Sequence, residues 1–177
     1  MLDRGPWIQL YSGTILYILD PRPEDISIVD IAHSLSNICR YAGNSLFFYS
    51  VAEHSIYVSE HFKYDKELAL AALLHDAAEV VISDIPRMVK KLSPQLTVVE
   101  NKILRAIYNK FCVEKYLHHE EIKNADNLIL RDEMEQVMAP PQKDWGIPKE
   151  KMEATIRGWA PPVAEHKFLR RFEMLYV

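Results

Sequence analysis

Residues 66–81 read KELALAALLHDAAEVV. Apolar side chains fill most of the first half, so the stretch predicts a helix enclosed on all sides. Its second half nevertheless carries His75, Asp76 and Glu79. Burying three such groups without partners costs on the order of several kcal/mol. A bound cation is the economical way to hold them there, and it makes this segment the anchor for the rest of the chain.

Upstream, residues 7–19 (WIQLYSGTILYIL) hold two short β-type runs around Ser12-Gly13, the pattern of a small hairpin. Asp20-Pro21-Arg22-Pro23 closes it as a rigid turn, and Asp25 or Ser27 caps the next helix. Over 28–39, Ile28, Ile31, Ala32, Leu35 and Ile38 repeat with helical spacing. His33 and Arg40 fall on the opposite side of that wheel, and they share a face if the helix continues that far. A second helix is expected over 48–62. Downstream, Ser83 to Pro86 break the buried helix. Further helices are expected over 94–111, over 119–138 and from 162 to the C-terminus, with a loop over 140–148. No internal repeat or linker interrupts the chain. Residues 1–177 therefore read as a single domain, an all-α bundle of about six helices with a small N-terminal β-hairpin.

Asp126 sits among Ile122, Ala125 and Ile129 on the inward arc of 119–138, and Glu133, seven residues on, shares that arc. The candidate metal ligands are His33, His75, Asp76 and Asp126. Two imidazoles and two carboxylates suit a borderline or hard divalent cation such as Mn, Co, Fe, Zn or Mg. His75 and Asp76 project about 100° apart on one helix, so tertiary packing has to bring in the other two. Such an ion keeps positions open for water and a phosphate oxygen, acidifying the one and polarising the other. Glu79 lies on the His75 face, four residues on. His54, in FYSVAEHS, reads as a hydrogen-bonded structural histidine with at most a supporting role beside a ligand. Trp7, Trp145 and Trp159 read as packing or interface residues.

The order His33, His75-Asp76, Asp126 matches the H…HD…D pattern of the HD-domain phosphohydrolases. The strings DIAHSLSNICRYAG, FYSVAEHS, LLHDAAEVVISDIP and IKNADN resemble the small bacterial and phage branch that contains the 5′-deoxynucleotidases. Within it the chain is most similar to the phage dATP triphosphohydrolases, over nearly its whole length. The resemblance implies an HD-domain helical bundle. It implies that Glu79 is catalytic, as proton carrier or water positioner, and that Asp84 helps orient the water or a second metal. It implies phosphate contacts from Lys90 and Lys123, and from Arg22 after the hairpin. The chain departs from the pattern at Pro23, where the nucleotidases carry a tryptophan, and at Met88, where many phage relatives carry a proline.

Net charge is −4 and no basic stripe stands out, which argues against a binder of nucleic-acid polymers. Cys39 and Cys112 belong to no CxxC pair and read as reduced thiols. With no apolar leader and no membrane-spanning stretch, the expected location is cytoplasmic, the host cytoplasm if the chain is phage-encoded. The expected activity is metal-dependent hydrolysis of deoxynucleotide phosphates. The resemblance points to dATP, split to deoxyadenosine and phosphates, which would drain the dATP pool. The alternatives are a broader 5′-deoxynucleotidase acting on monophosphates, a non-catalytic nucleotide-sensing module, and an HD phosphodiesterase. The resemblance also implies a homo-oligomer.

Overall fold

The computed structural model describes residues 4–176. The hairpin is present: β1 (Trp7–Gln9) pairs antiparallel with β2 (Ile15–Tyr17), with Trp7 opposite Tyr17 and Gln9 opposite Ile15. Gly13, at φ +88°, makes the turn between them, a backbone state that only glycine takes at little cost. The amide and hydroxyl of Ser12 donate to the Asp30 carboxylate at 2.7 and 2.8 Å. That pair of bonds ties the hairpin to helix α1 (Ile28–Asn37), whose first turn is capped by Ser27 rather than Asp25.

Helix α2 (Val51–Glu60) is the centre of the bundle. Ser50 caps it by accepting from the Glu53 amide, and Val51 through Ile56 are all buried. It packs against α1, against α3 (Lys66–Leu73), against α7 (Glu120–Gln136) and against α8 (Pro161–Leu175). Ile103 and Ile107 of α6 (Pro94–Lys110) enter the same core. A helix buried this completely leaves no solvated face for a polar side chain, so Glu53 and His54 must find partners inside. Glu53 does so by accepting the backbone N–H groups of Arg157, Gly158 and Trp159 at 2.8, 3.1 and 2.6 Å. This clamps the end of the irregular segment that joins α7 to α8. The same segment is stitched along α7 by Asp132, which accepts from the Met152 amide, and by Gln136, which accepts from the Ile156 amide.

The helix expected over 66–81 is split. It stops at Leu73, passes through tight three-residue turns and restarts as α4 (Glu79–Ile82). A short α5 (Arg87–Lys90) comes next, so the described residues hold eight α-helices rather than six. The first predicted helix is also shorter than its pattern. α1 ends at Asn37, Cys39 pairs in a β-bridge with Ser50, and the Arg40 amide donates to the Tyr49 carbonyl at 2.8 Å. Arg40 is thereby carried to the N-terminal end of α2 and does not share a helix face with His33. The final helix is α8, and residue 177 lies outside the described residues. Among the described residues, no helix is long and apolar enough to cross a membrane.

Candidate metal centre

The tight turns after α3 place His75 and Asp76. The His75 Nδ1 lies 2.7 Å from the Ala72 carbonyl, which can only accept, so Nδ1 carries the proton and Nε2 is turned away from the backbone. This bond takes up a carbonyl near the end of α3, and beyond it the chain runs in three-residue turns such as Glu79 N–H to Asp76 C=O at 2.9 Å. The second imidazole is His54, from the middle of α2. Its Nδ1 lies 2.7 Å from Glu133 Oε1, a carboxylate of α7 with no solvent exposure. Both rings are therefore pinned through Nδ1 and aim Nε2 at the same point.

The two Nε2 atoms are 3.3 Å apart. Asp126 Oδ1, about two turns before Glu133 on α7, is 3.2 Å from His54 Nε2 and 3.9 Å from His75 Nε2. Asp76 Oδ2 is 3.2 Å from His75 Nε2 and 3.6 Å from His54 Nε2. Donors of His54, His75 and Asp126 all lie within 4.8 Å of one another, and the three can hold a metal ion. With metal–ligand bonds of about 2.1 Å, a tetrahedral site has donor separations of roughly 3.4 Å, and these separations bracket that value.

Electrostatics point the same way. Burial and the Arg40 guanidinium push His54 down, but Glu133 and Asp126 outweigh them and hold it at about 9. Burial pulls Asp76 and Asp126 up, yet the neighbouring imidazoles keep both below the ordinary carboxylate range. The cluster thus draws in positive charge, whether a proton or a cation. Two imidazole lone pairs facing each other at this distance repel unless something positive lies between them.

Asp76 and Asp126 also line a cleft of 560 Å³, together with Arg40, Tyr41, Glu79, Asp84, Arg87 and Lys90. Glu79 is 3% exposed, and its Oε2 has no hydrogen-bond partner among the described residues. Burial, then Asp76 and Asp84, push its carboxyl well above the ordinary range, against the pull of Lys90 and Arg40. Asp84 uses Oδ2 to accept the Tyr41 amide at 2.6 Å. That bond supports a strained corner, since Tyr41 (φ 58°) and Ala42 (φ 50°) are both left-handed without being glycine. The Tyr41 hydroxyl is tied to Glu133, which also accepts from Arg40 and from Tyr49. Glu133 is consequently ionised, held at about 2 by Arg40 and His54 against the upward pull of burial.

Comparison with known proteins supplies a lineage. YfdR of Escherichia coli K12, an uncharacterized protein, is 36% identical over 173 residues, 96% of this chain and 95% of YfdR. The chain belongs to the YfdR family. An uncharacterized protein of Rhodobacter capsulatus is 37% identical over 142 residues, covering 74% of this chain and 72% of that one. No protein-family model matches.

In this member of the YfdR family the residues picked out by sequence divide. His75, Asp76 and Asp126 converge, and Glu79, Asp84 and Lys90 line the adjoining cleft. Lys90 Nζ lies 3.7 Å from Glu79 Oε1 and 2.6 Å from Glu100 Oε1. His33 does not converge. It stacks on Tyr11, with ring centroids 3.6 Å apart, and its Nδ1 meets Glu165 of α8 at 3.1 Å. The polar face of α1 that carries it turns toward the hairpin and α8, and His54 takes the place expected for it. Arg22 pairs with Asp20 at the surface and lines no part of the cleft; the arginines beside the cluster are Arg40, 3.5 Å from Asp76 Oδ2, and Arg87, 3.6 Å from Asp126 Oδ2. Lys123 is exposed on α7 and is likewise absent from the cleft, because the face it occupies points away from the Ala125–Ile129 stripe that enters the core. The signal that singled out His75 was present for His54 too, since FYSVAEHS also puts ionisable groups into a helix with no polar face.

Proposed function

We propose that this chain is a metal-dependent phosphohydrolase of the HD type, acting on deoxynucleotide phosphates, with His54 as the first histidine of the H…HD…D pattern. The observation that carries the reading is the convergence of His54 Nε2, His75 Nε2, Asp76 Oδ2 and Asp126 Oδ1 beside a cleft that holds a buried carboxyl and three cationic side chains. The donor set, imidazole nitrogens with carboxylate oxygens, fits a divalent ion such as Mn, Co, Zn or Mg. Such an ion supplies an acidified water and a Lewis acid for a phosphoryl oxygen.

The chain's own side chains divide the remaining work. Arg40, Arg87 and Lys90 neutralise charge on the phosphate as it builds up in the transition state. Glu79, almost fully buried beside the metal cluster and with its carboxyl pushed upward by burial, is the proton carrier or water positioner of the reaction. Tyr41, Leu130, Trp145 and Ile147 give the cleft an apolar wall suited to the sugar that carries the phosphate. The sequence resemblance makes dATP the first substrate to test, with deoxynucleoside monophosphates as the closest alternative.

The test is turnover of dATP and of dAMP by protein stripped with a chelator and then resupplied with Mn, Co or Mg, with products separated. The reading expects release of phosphate or triphosphate only in the resupplied samples. Equal turnover with and without metal, or none with any nucleotide, would overturn it.

A further inference from the structure

A second cleft, of 660 Å³, adjoins the metal cleft, and the two share Arg87, Trp145 and Ile147 as their common wall. Its floor is the outer face of α7, where Asn124, Ala125 and Asn127 flank the metal-centre residue Asp126. We propose that this second cleft receives the nucleobase of the substrate, with Trp145 as its stacking face and Asn127 as a reader of the base edge. The proposal rests on the nucleotide reading and extends it to the part of the substrate away from the phosphate.

Charge sets the direction in which a nucleotide lies. Arg40 and Lys90 line the metal cleft alone, where a bound cation would offset Asp76 and Asp126, whereas Glu121 and Glu150 rim the second cleft. A phosphate is drawn to the first and repelled by the second, so the uncharged end of the molecule extends into the second. Arg87 stands at the junction. One guanidinium nitrogen is 3.6 Å from Asp126 Oδ2, and two are 3.2 Å from Asn127 Oδ1. Because the Arg87 fork can only donate, it fixes the Asn127 carboxamide with its oxygen inward and its Nδ2 free to donate. An amide donor so oriented suits the ring-nitrogen and carbonyl acceptors on a base edge.

The Trp145 indole supplies the other half of base recognition. It is 36% exposed, on the irregular segment between α7 and α8, and leans on Tyr41 with ring centroids 5.9 Å apart. The indole lines the second cleft, and Phe62 lines it too. Aromatic faces of this kind hold bases by stacking whatever their sequence, while amides discriminate among them.

The experiment is calorimetric binding of dAMP and of deoxyribose 5-phosphate, which lacks the base, both as non-hydrolysable phosphonate analogues, to Mn-loaded protein. The wild type is expected to prefer dAMP by about tenfold, a typical value of one stacked base. In Trp145→Ala and Asn127→Ala, both at partly exposed positions, that ratio is expected to shrink toward one. Equal affinities in the wild type, or a preference that survives both substitutions, would overturn the proposal. Phosphate release by metal-loaded wild type is measured alongside. Its absence with the dAMP preference intact would overturn the hydrolase reading and leave the base pocket standing.

Discussion

His33 and His54 are the same residue type on neighbouring helices, and they end in opposite surroundings. His33 keeps about a third of its side chain in solvent, stacks on Tyr11 and pairs with Glu165. His54 has no exposure, is fixed through Nδ1 by Glu133, and points Nε2 at His75, Asp76 and Asp126. A partly exposed imidazole with one carboxylate beside it needs nothing further, whereas a buried one facing two carboxylates and another imidazole draws in positive charge, a proton or a cation. The lesson is that burial on every side of a helix, rather than opposition to an apolar stripe, marks a histidine as a candidate ligand.

The contrast can be broken most sharply in turnover. His54→Ala is expected to lower metal-dependent hydrolysis by about a thousandfold or more, because the acidified water goes with the ion. His33→Ala is expected to stay within about twofold of wild type, since it removes a partly exposed stack and one contact with Glu165 away from the cleft. Steady-state kinetics on dAMP or dATP distinguish them, and comparable losses would erase the distinction. Next in size is Glu79→Gln, which should retain the metal and lose about a hundredfold in kcat, as removal of a proton carrier does.

A smaller effect sharpens the role of the residue behind His54. Glu133→Gln keeps the shape but not the charge, and metal affinity is expected to fall by about ten- to a hundredfold, measured by titration calorimetry. The same substitution has a pH signature. Glu133 is lowered from 4.5 to about 2 in the folded chain. A lowered carboxylate stabilises fully above its unfolded value and loses that contribution as pH falls through its folded one. Metal-free wild type should therefore lose stability between about pH 4.5 and 2, and denaturant midpoints of Glu133→Gln should fall less steeply across that window. Smallest is the pair of lysines: Lys90→Ala is expected to cost about tenfold in kcat/KM and Lys123→Ala nothing beyond about twofold.

Much of the architecture was legible in the sequence because it rests on local patterns. Ser12-Gly13 between β-type runs specified the hairpin, and apolar periodicity located the long helices. The break at Leu73 was not legible, since the apolar run continues through it without Gly or Pro. It arises where the His75 ring takes the Ala72 carbonyl and the chain swings toward the cluster. The convergence of His75, Asp76 and Asp126 was legible because each lies in a buried helix or on an inward arc. Periodicity misplaced His33, because a wheel drawn past the true end of α1 made His33 and Arg40 look like neighbours. Arg40 reaches the site by a bridge to α2 and a left-handed corner at Tyr41 and Ala42, neither of which leaves a periodic trace. Arg22 and Lys123 were placed by resemblance, and the turn and helix face they occupy lead away from the cleft.

That His54 completes the cation site with His75, Asp76 and Asp126 is tested most directly by metal content. Wild type, His33→Ala and His54→Ala are loaded with Mn or Co, dialysed exhaustively and assayed for bound ion. Retention by wild type and His33→Ala with loss in His54→Ala is the predicted result. An ion kept by His54→Ala, or lost from His33→Ala alone, would contradict it.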